Sequence, residues 1–538
     1  MKSKHILKIF MCTLVTGTIL FSSCKKLMDQ EPRNSTYDQV FWQNSKDCES
    51  ALAGNYALLR DVMTSGTFYT SPRYYMYGDA VSTSYLTLQY WGDGLEYIQN
   101  GDITGAYNLN SLANWTKYYK AIAMSNLILN KIPSVPDENL KDISNPVKFK
   151  QKIIGQALFI RALSYFMMTR VWGDVPLVTT IDEDPITAKH LARSPKADVM
   201  KQIEADCHEA AKNLIWGNTT AGEANVTANK GSVYALLAHL YLWRATMTDA
   251  RSATPNMTDV NSADTTITRI MEDGGYALTD TANYYSTFIG RSREGIFEIN
   301  ASEDSREGSN SSVANMFLRT ANIAYNNNNS RAYVTPRYFT THFFVNKVTE
   351  GWVWNEVAWA WEWKSVVTKE TDTKDIRFRK NFTDINTDRP TCIKYSNVIY
   401  RNPGQKLDAY VSNNIIVFRL SDMRLLQAEI ALYKNQVNTA TTIINEFRTR
   451  NGADVSNQLP SGLTKDAVMN EYVLERGKEL YLEGHIFYDL LRTRKYEDFV
   501  PWLTSSRFNQ EGYYWPVYPA LFSNNNLLTQ TTYWRGKI

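Results

Sequence analysis

The chain contains few of the residues from which catalytic and metal sites are commonly built. Among its 538 residues there are six histidines and five cysteines, and no two histidines have the H-E-x-x-H spacing of a zinc enzyme. The sequence has no G-x-S-x-G nucleophile elbow and no glycine-rich phosphate loop. Its 55 acidic residues make coincidental pairs certain, so no pair can be chosen for glycoside hydrolysis. We therefore predict a protein that is not an enzyme and has no catalytic residue, no metal ion and no cofactor.

A surplus of charge is also lacking once the N-terminal segment is set aside. The chain has 58 basic and 55 acidic side chains, and three lysines but no acidic residue precede Cys24, which leaves 55 of each sign. A chain without net charge has no strong field with which to attract nucleic acid or anionic lipid. We therefore predict that nucleic acid is not a partner.

Long hydrophobic runs are missing too, apart from one short run near the start. Residues 9–21 form an apolar run of 13 residues, whereas a membrane-spanning helix needs about 20. The run follows a basic start and ends at two serines before Cys24, a pattern typical of a bacterial lipoprotein signal peptide at 1–23. Phe21 stands where leucine is usual, and a short transmembrane anchor is the alternative. We predict that Cys24 carries acyl chains, palmitate among them, which anchor the protein outside the cytoplasm through a tether at 24–43.

The remaining cysteines do not suggest a disulfide framework. Cys48, Cys207 and Cys392 are an odd number at wide spacing. A structural zinc site would pair cysteines closely, and these are far apart in the sequence. We expect buried thiols, and the sequence leaves open whether two of them pair.

Hydrophobic periodicity predicts a mainly α fold. Apolar residues recur at helical spacing in a scaffold that spans 44–272 and 421–495. We predict that 44–538 is one domain, with an irregular C-terminal segment at 496–538. The predicted helices are 45–63, 114–132, 147–171, 194–215, 228–247, 263–272, 421–433, 437–450, 465–482 and 485–491.

Two pairs of these helices have the length of tetratricopeptide hairpins. Within 421–450, Ala428 and Ala440 are small enough for two helices to approach closely where they cross. The segments 232–241 and 263–272 resemble the same hairpin with an enlarged turn. An alanine-rich helix without a repeat is the alternative.

Residues 275–420 lose the helical periodicity. Short β-type runs at 295–299 and 414–418 predict an irregular region, rich in loops, that a rigid scaffold presents to a ligand. Acidic residues at 182–184 and 372–375 could hold calcium. They lack the EF-hand spacing, so a solvated loop is the preferred interpretation.

Aromatic residues are abundant, with 33 tyrosines, 21 phenylalanines and 14 tryptophans. Tyrosine and tryptophan combine an apolar face with a polar edge, which suits sugar rings, although core packing must account for most of them. One cluster lies in loop-like sequence between the first two predicted helices, and a second lies in the irregular region. The candidate ligand-binding residues are Arg73, Tyr75, Tyr77, Asp79, Tyr90, Trp91, Trp352, Trp354, Trp359, Trp361 and Trp363.

In the first cluster we favour Trp91 and Tyr90 as the residues on which sugars stack. Asp79 and Arg73 are the polar side chains expected to bind sugar hydroxyl groups. Core packing is the alternative for each tyrosine of this cluster.

The second cluster contains an alternating run. Trp359, Trp361 and Trp363 occupy every second position, so one extended strand would place all three indoles on one face. That face could be a hydrophobic cover over the helices or a platform for sugars.

Two charged motifs have a structural interpretation. Arg161 lies on the inner stripe of a helix and needs a carboxylate or several carbonyl groups if it is buried. Three glutamates four residues apart in 475–483 would repel one another unless arginines such as Arg492 or Arg494 meet them. We interpret them as a buried ion network and not as a catalytic cluster, and His239, in an apolar helix, as a packed residue and not a metal ligand.

Six motifs follow one another along nearly the whole chain after Cys24. They are Asn114–Tyr119 with Asn126, Arg161–Phe166 with Gly173–Leu177, Arg419–Glu429, Ile444–Arg450, Glu475–Leu480 with Glu483 and Gly484, and Asp489–Arg492. In this order they resemble the SusD/RagB family of surface lipoproteins of Bacteroidetes. The family often has arginine where His485 stands, and its terminal Gln-Asn-Pro is replaced here by 530–532, but both departures touch packing motifs.

The resemblance implies a SusD-like fold with tetratricopeptide-type hairpins and a place in the outer membrane, exposed to the exterior. It implies a starch-binding-like nutrient-uptake protein that binds a glycan and passes it to a TonB-dependent transporter of the SusC type. In the family, ligand residues come from the loop after the first helix and from the irregular middle, the two regions of the aromatic clusters. A peptide-capturing member of the same family and a surface glycoside hydrolase on a helical scaffold are the alternatives.

Overall fold

The computed structural model describes residues 41–66, 72–103, 107–181, 190–301, 307, 313–318 and 330–538. The predicted signal peptide, Cys24 and the acidic segment 182–184 lie outside these residues. The fold is mainly α, as predicted. Among the described residues, no helix has the length and apolar character that crossing a membrane requires.

The helices and strands are numbered in chain order. The helices are α1 (Ser45–Thr64), α2 (Arg73–Gly78), α3 (Tyr107–Ala113), α4 (Thr116–Lys131), α5 (Pro146–Trp172), α6 (Lys196–Asn213), α7 (Lys230–Met247), α8 (Met257–Asp273), α9 (Ser286–Ile289), α10 (Ala314–Phe317), α11 (Pro336–His342), α12 (Ile376–Asn381), α13 (Leu420–Tyr433), α14 (Val437–Arg450), α15 (Lys465–Glu479), α16 (Ile486–Thr493), α17 (Tyr496–Phe499), α18 (Ser505–Asn509) and α19 (Ala520–Asn524). The strands are β1 (Leu86–Leu88), β2 (Gly295–Ile299), β3 (Ala332–Val334), β4 (Phe344–Asn355), β5 (Ala360–Thr371), β6 (Phe382–Thr383), β7 (Thr391–Cys392), β8 (Val398–Asn402), β9 (Leu407–Val411) and β10 (Ile415–Arg419).

Local sequence signals set the ends of the long helix α5. The Asn145 side chain accepts a hydrogen bond from the Lys148 amide at 3.0 Å, and Pro146 has the backbone geometry that a first helical turn requires. The helix ends at Gly173, whose φ of 71° suits glycine. The prediction of 147–171 is therefore correct to within one residue at each end.

The helices stack in succession. α1 packs on α4, α4 on α5, α5 on α6, α6 on α7, and α7 on α8. α8 packs in turn on α13, and α13 packs on α14 and α15. Both predicted helical hairpins form, and Ala428 and Ala440 are fully buried in the second. Cys48, Cys207 and Cys392 are buried and free, so no two of them pair.

Arg161 ties three of these helices together. Its guanidinium donates to both carboxylate oxygens of Asp206, at 2.8 and 2.6 Å, and to Oδ1 of Asn126 at 2.7 Å. The predicted need for a carboxylate is thus confirmed, and the pair joins α5 to α6 while the amide joins α5 to α4.

The irregular region begins and ends at a buried strand pair. β2 pairs antiparallel with β10, and every residue of both strands is buried. The runs predicted at 295–299 and 414–418 are these strands, the second shifted by one residue. Their pairing brings the two ends of the region together on the helical scaffold, where β2 packs against α7.

The last third of the chain packs against the first third. The Gly484 amide donates to the Asp79 carboxylate at 2.8 Å across 405 sequence positions, and the Trp172 indole donates to the carbonyl of Pro516 at 3.1 Å across 344 positions. A Cβ atom at Gly78 would lie 2.3 Å from the Gly484 carbonyl oxygen, so this approach requires glycine. The C-terminal segment is therefore part of the core.

Candidate ligand-binding site

Four of the predicted ligand residues lie in the interior of the protein. Arg73, Tyr75, Tyr77 and Asp79 belong to α2 and the residue after it, and every side chain of α2 is buried. The Arg73 guanidinium donates to three backbone carbonyl groups at 2.6, 2.7 and 2.8 Å. Burial raises the pKa of the Asp79 carboxyl, although the Gly484 amide bonds to it. The structure corrects the prediction for these four residues, because their segment is a buried helix and not a loop.

Tyr90 and Trp91 are exposed, in contrast to the rest of the first cluster. They follow β1, which pairs with β3 of the irregular region. Tyr90 is 75% exposed and Trp91 is 42% exposed. Gly92 and Gly94 have φ values of 75° and 73°, so glycine permits the sharp turn that presents the two aromatic rings.

A buried arginine lies beneath the Trp91 ring. The guanidinium carbon of Arg331 is 5.0 Å from the ring centroid, and the Arg331 side chain has no exposed surface. It donates to the carbonyl of Gln89 at 2.9 Å and to the carboxylate of Asp93 at 2.6 Å. One face of the indole therefore rests on a fixed cation, and the exposed part of the ring is available to a ligand.

Polar side chains lie next to Arg331 and in the turn that carries Trp91. The Gln89 side chain donates to the Ser330 carbonyl at 2.6 Å. The Glu96 carboxylate lies 3.7 Å from the Arg331 guanidinium, and its oxygens, within the described part of the chain, are buried without a hydrogen-bond partner. An exposed aromatic face next to the Asp93 carboxylate matches the chemistry of a sugar, which has an apolar ring face and a rim of hydroxyl groups.

The tryptophans of the second cluster lie on a long hairpin formed by β4 and β5. Trp352 is directly opposite Trp363, and Trp354 is opposite Trp361. The ring centroids are 5.4 and 5.6 Å apart in these pairs. Trp359 lies in the turn before β5, at a φ of 48°, with its ring 6.2 Å from that of Trp354. The prediction of three indoles on one strand is thus correct for Trp361 and Trp363 and wrong for Trp359.

These indoles do not cover the helices. All five are exposed, Trp359 to 81% and Trp352 to 62%. The alternative of a hydrophobic cover over the scaffold is therefore wrong, and the hairpin presents its aromatic face to solvent. That leaves the indoles accessible to a ligand or to another protein.

The base of the hairpin is fixed to the helical scaffold. The Asp372 carboxylate accepts hydrogen bonds from the Asp454 amide at 2.8 Å and the Asn457 side chain at 2.7 Å. Asp375 binds the Arg377 guanidinium at 2.7 Å. Both aspartates are buried, so the preferred interpretation of 372–375 as a solvated loop was wrong, and their oxygens bond to the chain itself.

The three glutamates of 475–483 form the predicted buried ion network, with other partners than expected. Glu475 binds Arg377 at 2.7 Å, and Arg419 binds Glu479 at 2.9 Å and Glu483 at 2.7 Å. Arg492 instead binds Glu429 and Asp489, and Arg494 donates to backbone carbonyl groups. Despite burial, Arg377 and its neighbours lower the pKa of Glu475 to about 2. A general acid needs a raised pKa, so this cluster does not fit glycoside hydrolysis.

His239 is packed, in line with its interpretation from sequence. Its Nε2 lies 2.6 Å from the Asp422 carboxylate, and its ring stacks between Phe418 and His485 at 5.2 Å from each. The second oxygen of Asp422 is 2.9 Å from the Arg476 guanidinium. This cation already balances the carboxylate, which disfavours a metal ion at the same place.

Two family models match the chain. One is described as starch-binding associating with outer membrane and matches residues 26–242, and the other is described as SusD family and matches residues 318–534. Among curated proteins, SusD-like protein P38 of Formosa agariphila is 24% identical over 554 residues, which cover 98% of this chain and 99% of that protein.

Solved structures share the fold. A SusD homolog from Bacteroides thetaiotaomicron has a TM-score of 0.73 at 22% identity and covers 92% of this chain and 99% of its own. NanU of B. fragilis has a TM-score of 0.64 at 18% identity, over 93% of this chain and 99% of its own.

Proposed function

The chain belongs to the SusD/RagB family, and we propose that it is a lipid-anchored protein of the cell surface that captures a glycan and delivers it to a TonB-dependent outer-membrane transporter of the SusC type. The family is in general one of glycan-binding proteins associated with the outer membrane, and not of enzymes. The transporter partner, the acyl anchor at Cys24 and the particular ligand are the parts that we add.

The observation that carries the proposal is the platform at Tyr90 and Trp91. A sugar ring stacks its C–H face on the exposed side of Trp91, while Arg331 supports the other side. The Asp93 carboxylate and the side-chain oxygen of Gln89 accept hydrogen bonds at the hydroxyl rim, since the Gln89 amide nitrogen already donates to Ser330. Since each such contact is weak, affinity comes from several subsites and from avidity among proteins on one surface.

Replacing Trp91 with alanine is expected to weaken glycan binding about 10- to 100-fold, because it removes an aromatic face whose burial contributes about 1.5–3 kcal/mol. The ring is half exposed, so the melting temperature should change little. A glycan array identifies the ligand, and calorimetry with that ligand measures the affinity.

Trp91→Phe is the matched control, because phenylalanine retains a ring for stacking and should retain most of the affinity. Equal affinities of wild type and Trp91→Ala would remove Trp91 from the site. A peptide library on the same protein tests the peptide-capturing alternative, and binding of peptides without glycans would replace the ligand class proposed here.

Cys24→Ala is expected to release the protein from the membrane, because acyl chains contribute roughly 0.8 kcal/mol per buried methylene and the neutral chain has no basic patch to replace them. Fractionation of cells into membrane and soluble material measures the release. Firm retention of the variant would place the anchor elsewhere in the chain.

A further inference from the structure

The outer half of the β4–β5 hairpin carries a large exposed aromatic surface. Its five tryptophans are between 41% and 81% exposed. Since the surface of a whole tryptophan measures up to about 250 Å², their exposed surface adds up to roughly 700 Å². The largest apolar patch on a typical monomer measures about 300–600 Å². We call this surface the tryptophan face, which consists of Trp352, Trp354, Trp359, Trp361 and Trp363.

We propose that the tryptophan face is the docking surface for a second copy of this chain, so that the hairpins of two copies pack face to face. Each copy supplies roughly 700 Å², close to the about 800 Å² that a standard-size interface takes from each partner. A two-fold axis brings the same patch of both copies together. An apolar patch is complementary to itself, so the contact needs no partner of opposite charge.

The charges on the hairpin agree with such a contact. Glu362 and Lys364 form an ion pair on the face opposite the indoles. On the tryptophan side, Val348 and Val367 lie opposite each other below the tryptophans, and both are about 60% exposed. Glu350 lies between these valines and the tryptophans, and its carboxylate accepts a hydrogen bond from the Ser365 hydroxyl on the other strand. Glu350 is thus the one charged side chain between the valines and the tryptophans on this side of the hairpin.

The shape of the hairpin permits the contact. Each strand has 12 residues, or roughly 40 Å at about 3.4 Å per residue. Most residues of both strands are exposed on both faces, so the hairpin extends away from the body. Two hairpins that point in opposite directions can lie about 10 Å apart, as packed sheets do, while the two bodies stay at opposite ends.

The ring geometry favours a protein partner over a sugar at this face. The cross-strand pairs have interplanar angles of 78° and 64°, so the edge of one indole covers the face of the other. A sugar stacks on an open ring face, and in each pair one such face is already occupied by the neighbouring indole. A second apolar surface, in contrast, can pack against edges and faces alike.

Sedimentation of the mature protein in detergent, and of its Cys24→Ala variant without detergent, tests the proposal. Wild type should form dimers as concentration rises, and Trp352→Ser should raise the dissociation constant at least tenfold. Trp359→Asn should do the same with the hairpin intact, because asparagine tolerates the positive φ at this turn. The exciton signal of the coupled indoles in circular dichroism reports that the hairpin is formed.

Ile215→Ser is the matched control, since Ile215 is 61% exposed outside the hairpin and its loss should leave the dimer unchanged. Monomers at every concentration, or equal dissociation constants for wild type and both tryptophan variants, would overturn the proposal. A monomeric wild type that binds glycans or lipid vesicles through Trp359 would assign the tryptophan face to that ligand instead. None of these measurements depends on glycan binding at Trp91.

Discussion

Arg419→Met is expected to lower the free energy of unfolding by about 3–5 kcal/mol, a large part of the 5–15 kcal/mol typical of folded proteins. Arg419 is buried and binds Glu294 at 2.6 Å, Glu479 at 2.9 Å and Glu483 at 2.7 Å. Methionine fills a similar volume but leaves these buried carboxylates without their shared cation. Urea unfolding followed by circular dichroism measures the loss.

Arg424→Met is the matched control for this experiment. Arg424 binds Glu446 at 2.8 Å, but the two side chains are 33% and 48% exposed, and such surface pairs contribute about 0–1 kcal/mol. Equal losses in the two variants would show that burial of the network has no special weight in stability.

Acidification is expected to destabilise the protein from about pH 6.5 downward, because buried histidines cannot take up a proton in the folded state. Burial, with a smaller effect of the Lys478 charge, lowers the pKa of His342 to about 3, and burial lowers the pKa of His485 to about 4. An unfolded histidine titrates near pH 6.5. Between these values unfolding takes up a proton, so each histidine costs about 1.4 kcal/mol of stability per unit fall in pH.

The range from pH 6.5 to 4.5 separates this effect from the carboxylates whose pKa is lowered in the folded protein. Glu475 has its pKa lowered to about 2, so its contribution to stability is present above about pH 4.5 and is lost only below it. Urea midpoints over this range should fall less steeply for His342→Phe than for wild type or Arg424→Met. An unchanged slope would show that the folded protein already protonates His342.

Local signals predicted the helical scaffold well. α14 has the predicted limits, and α5 differs by one residue at each end, since periodicity and capping residues act within a few positions. The β4–β5 hairpin was not predicted, because the pairing of Trp352 with Trp363 depends on a turn whose position the alternation of tryptophans does not give. That alternation placed Trp359 in a strand, whereas it lies in the turn.

The candidate site was predicted in part. Tyr90 and Trp91 are exposed as expected, but Tyr75 and Tyr77, in the same aromatic stretch, are buried, because aromatic residues can fill a core as readily as a binding site. Arg331 was missed, since it lies 238 positions from its partner Asp93 and no motif connects the two. The arginines of the ion network were missed for the same reason.

The contact between Asp79 and Gly484 also bears on how the chain folds. A chain that emerges from its N-terminus presents α2 long before residue 484 follows, and the two partners stand 405 positions apart. The hydrogen bond from Trp172, at the end of α5, to the Pro516 carbonyl likewise cannot form until residue 516 has emerged. The apolar surface that each helix presents to the C-terminal part of the chain thus stays open until nearly the whole chain has emerged, so the native core closes late.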